Sequence, residues 1–410
     1  MRILMLCTKY PLDPNDRFMT NELAGALVAI GHRVQVVVTD WDAPFGASSA
    51  SVRSEDGVEA LVISPRGVAG LGRFVERASK WTFSSLFALR DMQKALRGQS
   101  FDLLVCFTPC VTVAAQLVWA TKRWRMRSIL FVHDFFPHHH RSIGLVPGGP
   151  VFEIARRLEE HLIRKFQVIG CIWPDNIEYL KKHHRIRAEQ RAIWTPLWGE
   201  ISPPPAWPKG PIRRQHGLPL DRKILVFGGQ ITEGRGVEEM LAVAAMARET
   251  RPDLAFLLIG EGRLVELVEA HIASGGDNVF YRRRIPRAEY LSLISACDIG
   301  IVCTVAGVDS SSFPSKTIDY LRAGLPIVAA VERDSDYRDF LDKWKIGVST
   351  SAGDAGALFR AILGVVDDRE IAANIARNAR ACLEEVFDVA AAVRRVMNAI
   401  DQPPCSRGRG

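Results

Sequence analysis

The amino-acid sequence predicts an α/β protein built as two Rossmann-like domains, each a doubly wound parallel sheet, with a central cleft between them. Short apolar runs alternate with helix-periodic stretches, prolines at 203–205 and 208 break that alternation midway, and beyond them it begins again. A length of 410 residues with 48% hydrophobic side chains allows two cores rather than one.

In the first half, residues 2–8 form a buried strand. Leu23, Ala26, Leu27 and Ile30 then recur at helical spacing, and Gly31 stands where that helix stops. Arg33–Thr39 is the second strand. The rhythm continues through a helix over 73–97, a strand over 103–107, a helix near 112–120 and a strand over 128–132. A helix over 151–165, a strand over 168–172 and a helix over 176–183 complete the half, and the prolines follow as a linker. The second half reads as strand 224–227, helix 238–248, strand 255–259, helix 264–273, a short run at 278–281 and helix 287–296. Strand 299–303, helix 315–323, strand 327–330 and closing helices through Ile400 finish it, ahead of a polar tail.

Eight cysteines are scattered with neither a Cys-x-x-Cys pair nor histidines at zinc spacing, which excludes a disulfide framework and a zinc site and fits a reducing compartment. The N-terminal apolar run is too short for a signal peptide, and no segment reaches about eighteen apolar residues, so the expectation is a cytoplasmic protein. Charge is uneven. Residues 1–210 carry 27 Lys and Arg against 19 Asp and Glu, the remainder 26 against 27. The basic half fits an anionic membrane surface or a phosphorylated acceptor, or else an ordinary excess of solvated arginines. Nucleic acid is disfavoured, because no groove-reading motif accompanies the dispersed charge.

The chemistry concentrates in the second half. Ser310 to Pro326 follows a strand, sets serines and Pro314 at a helix start and ends in Gly-x-Pro, so it encodes a helix whose first amides can bind phosphate. Lys316 adds a charge there, and Asp319 lies about a turn further, where a carboxylate can accept from a diol. Gly228, Gly229 and Gln230, with Arg235 beyond them, follow the first strand of this half, and Gly260-Glu261-Gly262 follows the second. Three such turns stand at the carboxyl edge of one sheet, where open α/β folds bind ligands.

The segment SSFPSKTIDYLRAGLPIVA resembles the E-x7-E region of the retaining family 4 glycosyltransferases of the GT-B fold, and the opening KYPLDPNDRFMTNELAGALVAIGHRVQVVV, the turn GGQITEGRG and Gly260-Glu261-Gly262 fall in that family's order. A narrower likeness, to bacterial amino-sugar transferases of surface-polysaccharide (O-antigen or capsule) assembly, rests on FPSK, DFFP and IGCIWPDNIEYLKKHH. The resemblance implies an acceptor domain over 1–202, a donor domain over 203–385, a helix over 386–401 returning to the first domain, and a flexible tail over 402–410. It implies a nucleotide-sugar donor, UDP-linked, a lipid-linked or saccharide acceptor, retention, and work at the inner face of the cytoplasmic membrane.

Position by position, the resemblance sets Asp319 on the ribose hydroxyls and Arg235 on the diphosphate, where the family has a lysine. Gln230 replaces an arginine and Ser311 the first glutamate, which touches the donor sugar; Lys316 and Asp309 are the available substitutes. Ile285, Ser312, Phe313, Pro314, Ser315 and Thr317 join the donor site. His133, ending a strand in His-Asp, faces the donor sugar by resemblance; the alternative is a histidine bonded to backbone at a strand end. Asn15, Asp16 and Arg17 face the acceptor, and His138 and His139 either contact it or lie in solvent.

No Asp-x-Asp is present and the histidine spacing is poor for a metal, so metal independence and no cofactor are expected. The stretch 71–96 mixes arginines with aromatics, which suits either a bilayer interface or packing on its own sheet. His133, Arg235 and Lys316 are the expected catalytic groups. A sugar-nucleotide epimerase and a non-catalytic nucleotide-sugar-binding subunit remain as rivals, whereas an oxidoreductase is disfavoured because no G-x-G-x-x-G follows the first strand.

Overall fold

The computed structural model describes the chain apart from residues 14–17, 41–48, 55, 66–72, 143–145, 200, 202–207, 306–312, 333–334 and 403–410, and gives only the backbone of 73–83, 142 and 369. It divides into two units, Met1–Trp198 with Val389–Gly410, and Gly199–Asp388. The first therefore ends ahead of the boundary at 202 drawn from the prolines. Of the expected linker, Pro208 is described and directly precedes a helix, Lys209–Gln215.

The first unit holds eight strands: β1 Arg2–Cys7, β2 Arg33–Thr39, β3 Ala50–Arg53, β4 Glu59–Ile63, β5 Leu103–Phe107, β6 Arg127–Val132, β7 Val168–Cys171 and β8 Arg191–Trp194. Their order is β3-β4-β2-β1-β5-β6-β7-β8, parallel except where β3 pairs antiparallel with β4. The inner strands β1, β5, β6 and β7 are nearly continuous apolar runs because both their faces are covered. Leu4, Leu6, Leu104, Cys106 and Leu130 enter one core, and Ile3, Met5, Leu103, Val105 and Ile129 enter the other.

The closing helix Val389–Asp401 lies on that second face through Ala392, Val393, Val396 and Ile400. Each buried Val or Ile contributes about 1.5–3 kcal/mol. The exposed Arg127–Asp401 ion pair adds about 1 kcal/mol at most, so the apolar stripe fixes the helix.

The second unit holds β9 Lys223–Gly228, β10 Leu254–Ile259, β11 Val279–Arg282, β12 Ile299–Cys303, β13 Ile327–Val331 and β14 Gly347–Ser351. All pair in parallel, in the order β11-β10-β9-β12-β13-β14. The chain winds outward from β9 to β11, crosses back and continues from β12, so the strand order reverses between β9 and β12. Ligands of open α/β sheets bind beyond the carboxyl ends of the strands at such a point.

Several elements depart from the sequence reading. β14, within the stretch read as closing helices, is GVSTS, with no apolar run to announce it. β3 is an exposed edge strand. The helix expected near 112 begins as a 3-10 turn over Cys110–Val113 and is α-helical only from Ala114 to Arg123. Buried Glu159 accepts the amides of Cys110 and Val111 there, at 2.7 and 2.9 Å. Among the described residues, no helix is long and apolar enough to cross a membrane.

Candidate active site

Beyond β9 the chain turns through Gly229–Gly236 into the helix Val237–Thr250, with Gly236 left-handed at the N-cap (φ 62°). An added Cβ on Gly236 would strike the Cβ of Cys303 and come within 3.1 Å of the Thr304 carbonyl. That close approach seats the turn against the end of β12, at the reversal point. It also carries Arg235, the preceding residue, into the carboxyl edge of the sheet.

Lys316 opens the helix Lys316–Arg322 after β12. Its ammonium lies 3.4 Å from the centre of the Phe227 ring, and a Cβ on Gly229 would stand 3.6 Å from it. Burial, together with repulsion from Arg235, draws the Lys316 pKa down from 10.5 to about 7. Burial also lowers that of Arg235. Neither side chain forms a hydrogen bond or ion pair with a described residue. Holding Lys316 charged costs on the order of 4–5 kcal/mol more than in water, with the attraction of the Phe227 ring offsetting part of it. Two cations with no partner among the described residues, held together against that cost, form a site for an anion.

The other donor-side residues sort into ligand-facing and structural positions. Gly228 is structural: its amide donates to the Tyr320 hydroxyl at 3.0 Å, and an added Cβ would strike Tyr290. The turns after β9 and β10 are bonded to each other rather than open to an anion, because Gly229 N–H donates to Ile259 and Ile231 N–H to Glu261. A Cβ on Gly260 would run into the Gly229 carbonyl. Gly260→Ala is therefore expected to cost about 2–3 kcal/mol and lower the melting point of this unit by about 5–10 °C, measured by calorimetry. Gln230 is exposed, Glu261 holds Arg283 at 2.6 Å on the surface, and Ile285 is half-buried in the loop before the helix Arg287–Ser295.

Ser315 occupies the N-cap as expected, in helical geometry and without a side-chain capping bond, whereas three other expectations for the phosphate-binding segment are corrected. The amides of Thr317 and Ile318 donate to Pro314 and Ser315, because the turn continues the helix backward, so the cations rather than open amides make the anion site. Phe313 packs on Tyr337, Phe340 and Phe387, and the Thr317 hydroxyl shares a 2.7 Å hydrogen bond with Tyr337; both face the core. Asp319 does not offer an open carboxylate to a diol, since Arg287 Nη1 and Nη2 already donate to it at 2.7 and 2.5 Å. Ser311, Ser312 and Asp309 lie outside the described residues.

In the first unit, His133 follows β6, and its amide donates to Thr108 Oγ1 at 3.1 Å. Its ring lies among Phe107, Phe131 and Trp198, and its Nε2 is buried without a partner among the described residues. Burial lowers its pKa to about 4, so the imidazole is neutral at pH 7. Asp134 Oδ1 is likewise buried and unpartnered, and burial raises that carboxyl to about 6. Asn15, Asp16 and Arg17 lie outside the described residues. His138 is not solvent-facing: its ring stands 4.9 Å from His183, 5.5 Å from His184 and 5.1 Å from Phe152. His139 is half-buried beside His140. Among the described residues no group of three His, Cys, Asp or Glu side chains is placed to hold a metal ion.

Arg287, Tyr290 and Tyr320 are the residues of this edge that spacing did not reveal. They become visible only when β11, β9 and β12 are laid side by side.

Residues 208–381 match the family model described as glycosyl transferases group 1, and residues 18–195 match that of a glycosyl transferase 4-like domain. The chain is 26% identical over 290 residues to the probable glycosyltransferase WbjE of Pseudomonas aeruginosa, covering 68% of each chain. It is 23% identical over 335 residues to the putative colanic acid biosynthesis glycosyl transferase WcaI of Escherichia coli K12, covering 76% of this chain and 79% of that one. The solved structure of HepE (Alr3699) from Anabaena in complex with UDP-glucose superposes with a TM-score of 0.68 at 15% identity, covering 98% of this chain and 99% of that one, which shows the same fold.

Proposed function

We propose that this chain, which belongs to the glycosyl transferases of group 1, moves a hexose or N-acetylated amino sugar from a UDP-linked donor to a lipid-linked saccharide in surface-polysaccharide assembly, with retention. The observation that carries the reading is the pair Arg235 and Lys316, with no counter-ion among the described residues, at the strand-order reversal of the second unit. A leaving nucleoside diphosphate gains negative charge as the sugar bond breaks, and preorganised cations there stabilise the transition state more than the ground state. In this reading the two side chains supply the charge that a divalent ion would otherwise bring, and turnover is unchanged by a chelator.

The likeness to WcaI, a putative colanic acid biosynthesis glycosyl transferase, supports transfer in polysaccharide assembly, the likeness to WbjE supports glycosyl transfer, and the UDP-glucose bound to HepE supports the donor class. His133 presents a neutral Nε2 for a sugar hydroxyl, and Asn15, Asp16, Arg17 and His139 are assigned to the acceptor. Contact with the inner face of an anionic membrane is supported by the basic first half and by Leu86 and Ile154, exposed on its helices.

The test is calorimetric and chemical. UDP-sugars should raise the melting point of the chain, GDP- and TDP-sugars less, and a free sugar not at all. With a lipid-linked saccharide, NMR should find the donor's anomeric configuration kept in the product. No shift with any nucleotide sinks the reading, and an altered sugar released without acceptor points to an epimerase.

A further inference from the structure

The helix Pro150–Ile163 of the first unit turns an apolar and basic face to solvent. Val151, Ile154 and Leu158 recur at helical spacing along it and are 46%, 68% and 44% exposed. Its other exposed residues are Pro150, Arg157 and His161, Arg164 follows at the C-cap, and none of these is acidic. The opposite face is fixed, since Leu162 and Ile163 enter the core and Glu159 accepts the amides of Cys110 and Val111 at 2.7 and 2.9 Å. Turning the helix to bury the aliphatic stripe would break both ties. The helix Arg73–Ala95 packs on the same 3-10 turn, and the helix Ala114–Arg123 lies alongside. Among their described residues Leu86, Arg90, Lys94, Lys122 and Arg123 are exposed, and again no acid is. The helix Pro174–His183 is an ordinary solvated one by contrast: it exposes Asp175, Glu178, Lys181 and Lys182, and Lys181 pairs with Glu178 at 2.7 Å.

We propose that the helix Pro150–Ile163 lies in the interface of an anionic phospholipid bilayer, with Val151, Ile154 and Leu158 among the acyl chains and Arg90, Lys94, Lys122, Arg123 and Arg164 at the headgroups. The inference rests on the lipid-linked acceptor of the proposed function and names the element that meets the lipid. Charge decides the occupant. A second copy of the same face would set cation against cation, whereas anionic headgroups match the cations beside an apolar stripe. Three aliphatic side chains bury a modest area, so the contact is reversible and is made by burial and charge together.

Sedimentation of the full chain with phosphatidylcholine vesicles, plain or with about one part in three phosphatidylglycerol, tests this. Native protein should bind the anionic vesicles about tenfold or more tightly than the neutral ones, and high salt should erase the margin. The triple variant Val151→Ser, Ile154→Ser, Leu158→Ser should lose about a hundredfold in affinity. Lys122→Gln with Arg123→Gln should lose about fivefold for each charge removed. Ile154→Trp should bind more tightly, because an indole settles at headgroup level, a gain that a stripe with a structural role would not give. Every variant changes exposed side chains alone, so melting points and UDP affinities should match those of native protein. The inference is overturned if native protein binds both vesicles equally or neither, if the triple variant keeps its vesicle affinity, or if that variant instead splits a dimer of the native chain in sedimentation velocity. A chain that binds UDP but no vesicle overturns this inference alone, and one that binds vesicles but no nucleotide sugar overturns the transferase reading.

Discussion

Replacing Arg235 by alanine is expected to lower turnover by about a hundredfold to a thousandfold, the usual loss when one preorganised electrostatic donor is removed from a transition state. The folded chain should not suffer. Arg235 forms no hydrogen bond or ion pair with a described residue, and its charge opposes that of Lys316, so the unliganded variant should melt at or slightly above the native temperature. This opposition of signs separates a ligand-facing cation from a structural one, whose removal would lower both activity and stability. Arg235→Lys, which keeps the charge without the fork, should fall between. Turnover numbers and melting curves on the three proteins decide the matter. An alanine variant within about twofold of native turnover, or one that melts well below it, would remove Arg235 from the mechanism.

The fold was legible where both faces of a strand are buried. Runs such as Ile3–Cys7, Val36–Val38 and Leu254–Ile259 have no polar alternation because helices cover each side, and their positions could be read directly. β3, β8 and β14 escaped because edge or half-buried strands carry polar and small residues that read as loop, and β4 escaped although it is mostly buried, because its apolar run is only four residues long. Within the site, composition and glycine spacing located the carboxyl edge and its two cations. They did not reveal which side of a first turn faces inward, so Phe313 and Thr317 were assigned to the ligand although they pack in the core. Arg287 was invisible for a different reason: 32 residues separate it from Asp319, and only the crossover from β11 to β12 brings them together.

Lys316 gives the second large effect, and its sign follows from its surroundings. In the unliganded protein its pKa lies near 7, held down by burial and by Arg235. A bound diphosphate places negative charge beside it and raises that value, so binding takes up a proton whenever the free lysine is neutral. Affinity for UDP should therefore be greatest at and below pH 7 and fall by up to tenfold per pH unit above it, until the value in the complex is reached. The range from pH 7 to 9 avoids the terminal phosphate of the nucleotide, which titrates near 6. Calorimetry in two buffers of different ionisation enthalpy should register uptake of about half a proton at pH 7 and close to one at pH 8. Lys316→Met should abolish the uptake and flatten the profile, so that its deficit against native protein is about fiftyfold larger at pH 7 than at pH 9. Equal heats in the two buffers for native protein, or equal affinity at pH 7 and 9, would mean that the ammonium does not meet the anion. The same arithmetic assists release of the product: a lysine that returns to neutrality as the diphosphate departs leaves Arg235 with less positive charge beside it, and the empty site is less strained than one holding two fixed cations.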